Sequence, residues 1–394
     1  MSVWPWLKFP LVALIVLPLA GCARAPQVAG NLTLWSARPD FALVDAASRQ
    51  EGLKLTEAPR TAWAEQMGQE GAPELLVVEA GTDVDEAVKS GVLADLRPLL
   101  SGLTAPGLFA PALKVWVAAA SVSILPASTS LWGLFANPTV LQNNGLKPPK
   151  DWKEFEAAAV SLKANGVTPL ALGASFGFPA LAWVSVLDLR FNGEAAHRDL
   201  LEGRRSFADP SLLLVWNTLA DWRSRGWFDA GASTKNWPEA LADVSAGRAA
   251  FVLLGSFGLS RITDKQTLEF LPLPSDRTVG SRSELGSVVG FAVSAQARNP
   301  KVALALADAY ILAGSPGQLE EGYRSPALPR TGVAGSVGEQ DQWLAHAVAV
   351  FPLLDRALPA AAAKRADLLI QQFFTEGSTL TATDLARAFQ TLES

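Results

Sequence analysis

The sequence predicts a two-lobed α/β fold, and two observations lead there. Strand-like apolar runs alternate with helical periodicity from residue 32 onward, the pattern of βαβ units. Once a targeting segment is set aside from the 394 residues, about 370 remain, more than one hydrophobic core usually serves.

The targeting segment is residues 1–21. Lys8 precedes an apolar run over 9–20, too short to span a bilayer as a helix but long enough for a signal-peptide core. It ends in Leu19-Ala20-Gly21-Cys22, similar to the lipobox of bacterial lipoproteins, in which small residues admit a peptidase and the cysteine thiol accepts a lipid. Cys22 is the sole cysteine, the alternative being a buried or free thiol. Acylation there would leave the exported chain no disulfide, no thiolate metal ligand and no cysteine nucleophile. The 33 Lys and Arg against 38 Asp and Glu give a formal charge of −5, or −6 without Lys8. No basic run appears, which argues against a nucleic-acid partner. Residues 22–30 read as a tether behind the lipid.

Leu32-Thr33-Leu34-Trp35 is a first strand, 41–50 a helix and 53–56 a second strand, so Trp35 and Arg38 fall where βαβ units collect ligands. The pattern repeats with a strand over 74–78, which ends at Glu79, and a helix over 84–89. An apolar run over 115–122 leads to Ser128 and Thr129, hydroxyls that suit close approach to a polar ligand. Asp151 with Glu154 forms an Asp-led capping box for a helix in which Trp152, Phe155, Ala159 and Leu162 recur at helical spacing, stopped by Asn165-Gly166. A strand over 167–172, a Gly173/Gly177 loop and a helix carrying Phe178 and Trp183 follow. Trp183 precedes Val184, Val186, Leu187 and Leu189, which could form the buried face without it. Asn192-Gly193 reads as a turn. Asp209-Pro210 opens a helix whose Trp216 and Trp222 are spaced as core. Trp237-Pro238 opens another, and 247–254 turns into a buried strand ending at Gly255-Ser256-Phe257, where exposed N–H groups could anchor a hydroxyl or phosphate oxygen. Residues 270–274 are extended, 280–286 a loop, 288–293 a strand and 299–312 a helix; Arg324 lies in a Pro-flanked segment, and 379–392 is a closing helix.

One motif argues for an enzyme of the serine hydrolase class. Gly173-Ala174-Ser175-Phe176-Gly177 fits G-x-S-x-G between strand and helix, with Asp308 and His346 downstream. Against it, Pro169 interrupts the strand, Phe178-Pro179 occupies the helix start, and His346 sits in an apolar helical segment. The two histidines exclude a His-rich metal site, no phosphate- or dinucleotide-binding glycine pattern follows a strand, and nothing singles out a glycosidase carboxylate pair. No cofactor is expected.

In order along the chain, Pro148-Pro149, Trp152 to Phe155, Asn165 to Leu170, Phe178 with Trp183, Gly247 to Phe257, and Ser315-Pro316-Gly317-Gln318 resemble the extracellular solute-binding proteins of bacterial ABC importers, in particular the carbohydrate-binding group that includes maltodextrin-binding protein. The resemblance implies a type II periplasmic-binding-protein-like fold. Each lobe would be a mixed sheet flanked by helices, with a ligand cleft between them that closes by hinge motion. The implied lobes are 31–127 with 275–322 and 128–274 with 323–394, joined by three crossovers. It also implies a lipid-anchored monomer, not an enzyme, facing the periplasm or cell exterior and delivering a sugar or oligosaccharide to membrane permease subunits. Stacking would fall to Trp35, Phe178, Trp183, Trp237 and Phe257, and polar contacts to Arg38, Glu79, Ser128, Thr129, Gly255, Ser256 and Arg324. Close relatives in that group take glycerol-3-phosphate or glycerophosphodiesters, which Arg38, Arg324 and Gly255-Ser256 would suit.

Overall fold

The computed structural model describes residues 32–36, 53–57, 63–67, 69, 72–262, 267–274, 283–313, 325–326 and 335–393. Their strands are β1 (Leu32–Ser36), β2 (Leu53–Glu57), β3 (Leu75–Glu79), β4 (Leu125–Ala136), β5 (Thr168–Ala171), β6 (Ala249–Gly255), β7 (Glu269–Leu271), β8 (Glu284–Val293), β9 (Ser325–Pro326) and β10 (Val350–Phe351). They form one sheet in the order β2-β1-β3-β8-β4-β6-β5, with β10 on β8 and both β7 and β9 on β4. The β1–β2, β1–β3 and β5–β6 pairs are parallel, whereas β3–β8, β8–β4 and β4–β6 are antiparallel. β3 and β6 are nearly continuous apolar runs because they are buried along almost their whole length. Pro169 is tolerated because β5 lies at the end of that order, where a missing N–H breaks no ladder.

Two hydrophobic cores share the sheet. One draws on residues between Trp63 and Leu131, between Val288 and Ile311, and on Leu344, Ala347 and Val350. The other draws on residues between Trp132 and Leu273, on Leu285, and on residues between Ala349 and Leu392. The long strand β4 belongs to both: its first half, to Leu131, pairs with β8, and from Trp132 it pairs with β6. β8 makes the second crossing, and Ala347 to Ala349 the third.

Residues 270–274, inside the expected 128–274 segment, pack in the second core: the Phe270 ring lies 4.7 Å from that of Phe135, and β7 folds back onto β4. The expected 280–286 loop gives way at Glu284 to the start of β8. Residues 335–346 form a helix (Gly335–His346) that contributes Leu344 to the first core rather than the second.

Local signals place most helices. Asp151 caps the helix Trp152–Ala164 by accepting from Glu154 N at 2.7 Å, but the reciprocal Glu154 Oε2 accepts from Lys150 N, one residue earlier than a capping box requires. Asp209 with Pro210 starts Pro210–Ser224, and Thr381 starts Ala382–Gln390. At Asn192-Gly193 the expected turn is a sharp break: Gly193, at φ 84° and ψ 175°, is not helical, and it divides Phe178–Leu201 into two helices that meet at a kink.

The second half is fastened to β8 by a buried ion pair, Arg190 Nη2 to Glu284 Oε2 at 3.2 Å, with Arg190 Nη1 donating to Ser283 O. Inside the first half, β8 approaches β4 so closely that a Cβ on Gly290 would lie 2.3 Å from Leu125 O. Gly290→Ala should therefore lower stability by about 1–3 kcal/mol, read as an earlier urea midpoint. Gly107→Ala, where a Cβ meets nothing within 4 Å, should leave that midpoint in place.

Candidate functional site

The sheet register decides which side chains meet. Opposite residues of paired strands project from one face, and successive residues alternate. Glu79 opposes Val289, Val289 opposes Ser128, and Ser287 opposes Ser130; Trp132 follows Ser130 by two. These residues share a face, and Glu79, Ser287 and Trp132 on it line a cavity of about 320 Å³ between the two cores. Ser128 and Ser130 are buried at 5% and 0% exposure, and neither Oγ has a hydrogen-bond partner among the described residues. Thr129 alternates to the other face, beside Gly286 and Val350.

Phe178, Trp237, Phe257 and Leu353 complete the second core's side of the cavity. Gly177, at φ 74°, turns the 173–177 loop into the Phe178 helix, and a side chain there would strike Asp367. Trp237 is the first residue of the helix Trp237–Ser245, held by a full capping box in which Asn236 Oδ1 accepts from Glu239 N and Glu239 Oε2 from Asn236 N. The loop meets that helix at Gly173, where a Cβ would lie 2.5 Å from the Asn236 carbonyl. Phe257 lies in the 3-10 turn Ser256–Arg261, folded back over Gly255 so closely that a Cβ on Gly255 would lie 2.4 Å from its ring. Gly255 and Ser256 thus seat an aromatic ring at the head of a 3-10 turn.

The lobes also touch through the short helix Leu354–Ala357, tied to the second core by Leu354 N donating to Ser185 Oγ. Arg356 Nη2 donates to Asp83 Oδ1 at 2.9 Å and to Glu79 O at 3.2 Å, and Thr82 Oγ1 donates to Ala357 O. Gly81 makes room: a Cβ there would lie 2.6 Å from Arg356 Nη2. Burial alone would lower the Arg356 pKa, but Glu79, Asp83 and Asp355 around it raise it. Asp355, which lines the cavity, is pushed up to about 6, first by burial and then by Glu79, against the pull of Arg356. Asp367 is pushed up to about 7 by burial and by Asp355. The Oδ1 atoms of both are buried with no hydrogen-bond partner among the described residues.

An acid whose folded pKa is raised holds a proton that the unfolded chain has released, so stability falls as pH climbs from about 4 to 7 and levels off above. Asp367→Asn removes that loss. Its advantage in Tm should be near zero at pH 4, grow through pH 6, and correspond at pH 8 to roughly 2–4 kcal/mol. An equal advantage at pH 4 and pH 8 in thermal melts would refute the assignment.

Of the expected site residues, Glu79, Phe178, Trp237 and Phe257 line the cavity, Gly255 and Ser256 adjoin it, and Ser128 lies on its face. Trp183 is placed elsewhere, 1% exposed in the second core against Phe155, Trp222 and Phe228. The expectation that its helix had an apolar face to spare fails because every residue from Pro179 to Leu189 is buried. Trp35 lies near the end of β1; its side chain, with Cys22, Arg38 and Arg324, falls outside the described residues. The sequence reading missed Trp132, Ser287, Leu353, Asp355 and Arg356. For Trp132 and Ser287 a signal existed, the alternation along β4 and β8; for Asp355 and Arg356 there was none, since their partners lie more than 270 positions away.

The hydrolase constellation is not assembled. Ser175 sits in a 3-10 turn whose backbone is held by Lys235 O. The Asp308 carboxylate accepts from the backbone N–H groups of Thr104 and Ala105. His346 Nδ1 bonds to Gln342 O, one turn back on its own helix. Among the described residues no group of three or more His, Cys, Asp and Glu could hold a metal, and no helix is long and apolar enough to cross a membrane.

Two uncharacterized ABC transporter extracellular-binding proteins of Pyrococcus horikoshii are 31% identical over 126 residues and 25% identical over 145, or 32% and 36% of this chain. The alignments span only 28% and 34% of those relatives' own length. Among solved structures, the bacterial solute receptor AcbH, described as having an exclusive preference for β-D-galactopyranose, superposes with a TM-score of 0.75 at 19% identity, over 93% of this chain and 97% of that one. A protein described with xylan utilization by Caldanaerobius polysaccharolyticus gives 0.75 at 20%, over 92% and 99%, and a chitin oligosaccharide binding protein 0.74 at 21%, over 92% and 98%. The fold is thus the two-lobed, type II periplasmic-binding-protein-like architecture. Residues 53–315 match the family described as bacterial extracellular solute-binding protein, and the chain belongs to that family.

Proposed function

We propose that this protein captures a mono- or short oligosaccharide between its lobes and delivers it unchanged to the permease of an ABC importer, from a lipid anchor on Cys22. The observation behind the reading is the cavity itself. It lies where the two cores meet and has four aromatic side chains on one side and hydroxyl and carboxylate groups on the other, the mixture that a sugar's apolar faces and hydroxyl edges need. Its size, about 320 Å³, is at the small end of the roughly 300–1,000 Å³ typical of ligand sites. The solved relatives described as binding galactopyranose and chitin oligosaccharide point to the same class of ligand. Trp237, Phe257 and Phe178 would stack, Glu79, Ser287 and Asp355 would accept or donate to hydroxyls, and Ser128 would back them. Arg38, Trp35 and Arg324 remain part of the proposal as sequence-based assignments.

A glycerol phosphate ligand has less support. Among the described lining residues the one cation is Arg356, which already donates to Asp83, while Glu79 and Asp355 bring negative charge.

Titration calorimetry of the chain from residue 23, against a panel of mono- and disaccharides and glycerol-3-phosphate, tests the reading. At least one sugar should bind saturably, and Trp237→Ala should weaken it about tenfold or more, a loss of about 1.4 kcal/mol, with Ser175→Ala unchanged. Binding of glycerol-3-phosphate alone, or a sugar affinity indifferent to Trp237, would overturn it. For the anchor, Cys22→Ser should move the full-length protein from the membrane fraction to the soluble fraction and abolish palmitate labelling; labelling that survives would exclude Cys22 as the acceptor.

A further inference from the structure

Resting on the sugar-capture reading, we propose that Arg356 is a positioning residue of the cleft: from the second half it braces the turn that carries Glu79, and it sets ligand affinity through that turn rather than by touching the ligand.

The turn is supported from across the cleft. β3 ends at Glu79, and Ala80 N, donating to Val288 O at 2.8 Å, carries its pairing with β8 one bond further. Beyond that the chain turns into the helix Thr82–Lys89. The other half grips this stretch. Arg356 Nη2 donates to Glu79 O at 3.2 Å and to Asp83 Oδ1 at 2.9 Å, Arg356 Nε donates to Ala80 O at 3.4 Å, and Thr82 Oγ1 donates to Ala357 O at 2.7 Å. Glu79, Ala80, Thr82 and Asp83 are thus all tied to two consecutive residues of the helix Leu354–Ala357, which Leu354 N fixes to Ser185 Oγ at 3.0 Å. Glu79, at the start of the braced stretch, lines the cavity. Arg356 reaches the cavity wall too, but its Nε and Nη2 are committed to protein oxygens.

Gly81 points the same way. Its φ of 174° is extended backbone that any residue adopts, so no turn demands glycine there. Space does. A Cβ would lie 2.6 Å from Arg356 Nη2, 2.9 Å from its Cζ and 2.9 Å from Asp83 Oδ1, wedged into the ion pair. A part-exposed pair of this kind contributes little to global stability. Its effect falls on the turn, since a Glu79 already in place spares the ligand the cost of ordering it.

Calorimetry of the chain from residue 23 with galactose, xylobiose and di-N-acetylchitobiose, paired with thermal melts in the absence of sugar, tests the role. For whichever of the three binds most tightly, Arg356→Gln should weaken binding about five- to tenfold, as when the competent turn falls to about a fifth or a tenth of the population. The unliganded Tm should move by less than about 3 °C. Gly81→Ala, which changes no lining residue, should reproduce both results and serves if Arg356→Gln folds poorly. The deciding measurement is a double-mutant cycle: in a Glu79→Ala background Arg356→Gln should cost no further affinity. Additive losses would make Arg356 a direct ligand contact and overturn the proposal. Parent affinity in both Arg356→Gln and Gly81→Ala would also overturn it, with sugar capture left standing. Absence of binding by all three sugars to the parent protein would overturn both.

Discussion

The molecule depends on one strand whose backbone hydrogen bonds pass from one core into the other. β4 pairs with β8 up to Leu131 and with β6 from Trp132, so a single strand is an interior member of the sheet for two cores in succession. Side-chain packing could not do this alone, since each core buries its own apolar set and neither gains by touching the other. Because the strand is continuous, the side-chain alternation established in the first half persists into the second. Glu79, Ser287 and Trp132 therefore converge on one cavity although they come from three strands. Flexing about such a strand changes the distance between the halves without disturbing which face the residues occupy.

The contact through Arg356 is of another kind. It joins the halves by charge and hydrogen bonds alone, reaching carbonyl and carboxylate oxygens on the first half from a short helix rooted in the second. Its side chain is 29% exposed and that of Asp83 33%, so solvent moderates the attraction and the contact can open at modest cost. The aromatic rings, by contrast, all sit on the second core's side of the cavity. One half thus supplies the shape of the site, and the other contributes Glu79 and the oxygens that Arg356 engages.

What could be read from the sequence was what is local. Helix starts at Asp151, Asp209 and Trp237 are written in the capping residues beside them, and the strands β1, β2, β3 and β6 in apolar runs bounded by polar or glycine residues. What escaped was long-range. Trp183 and Trp132 are the same residue type in similarly apolar surroundings, and only the complete burial of residues Pro179 to Leu189 and the register of β4 against β8 separate core from cleft. The bulge between Pro126 and Ser128 shifts that register by one, so even counting along the strand from Leu125 would have put Ser128 on the wrong face. Residues 270–274 read only as extended, and no local pattern announces that Phe270 finds a partner in Phe135.

The insertion of β8 between β3 and β4 has a consequence for how the chain folds as it is made. Neither of those strands pairs with the other; each waits for residues 284–293, over 140 positions beyond the end of β4. Until that segment emerges, the first 280 residues carry two unpaired edges flanking an incomplete apolar layer, a high-contact-order state that closes slowly and exposes aggregation-prone surface meanwhile. The order of the strands therefore delays completion of the first core until most of the chain is available. A chain with that property can be kept extended while it is threaded through a membrane and can fold once it has arrived.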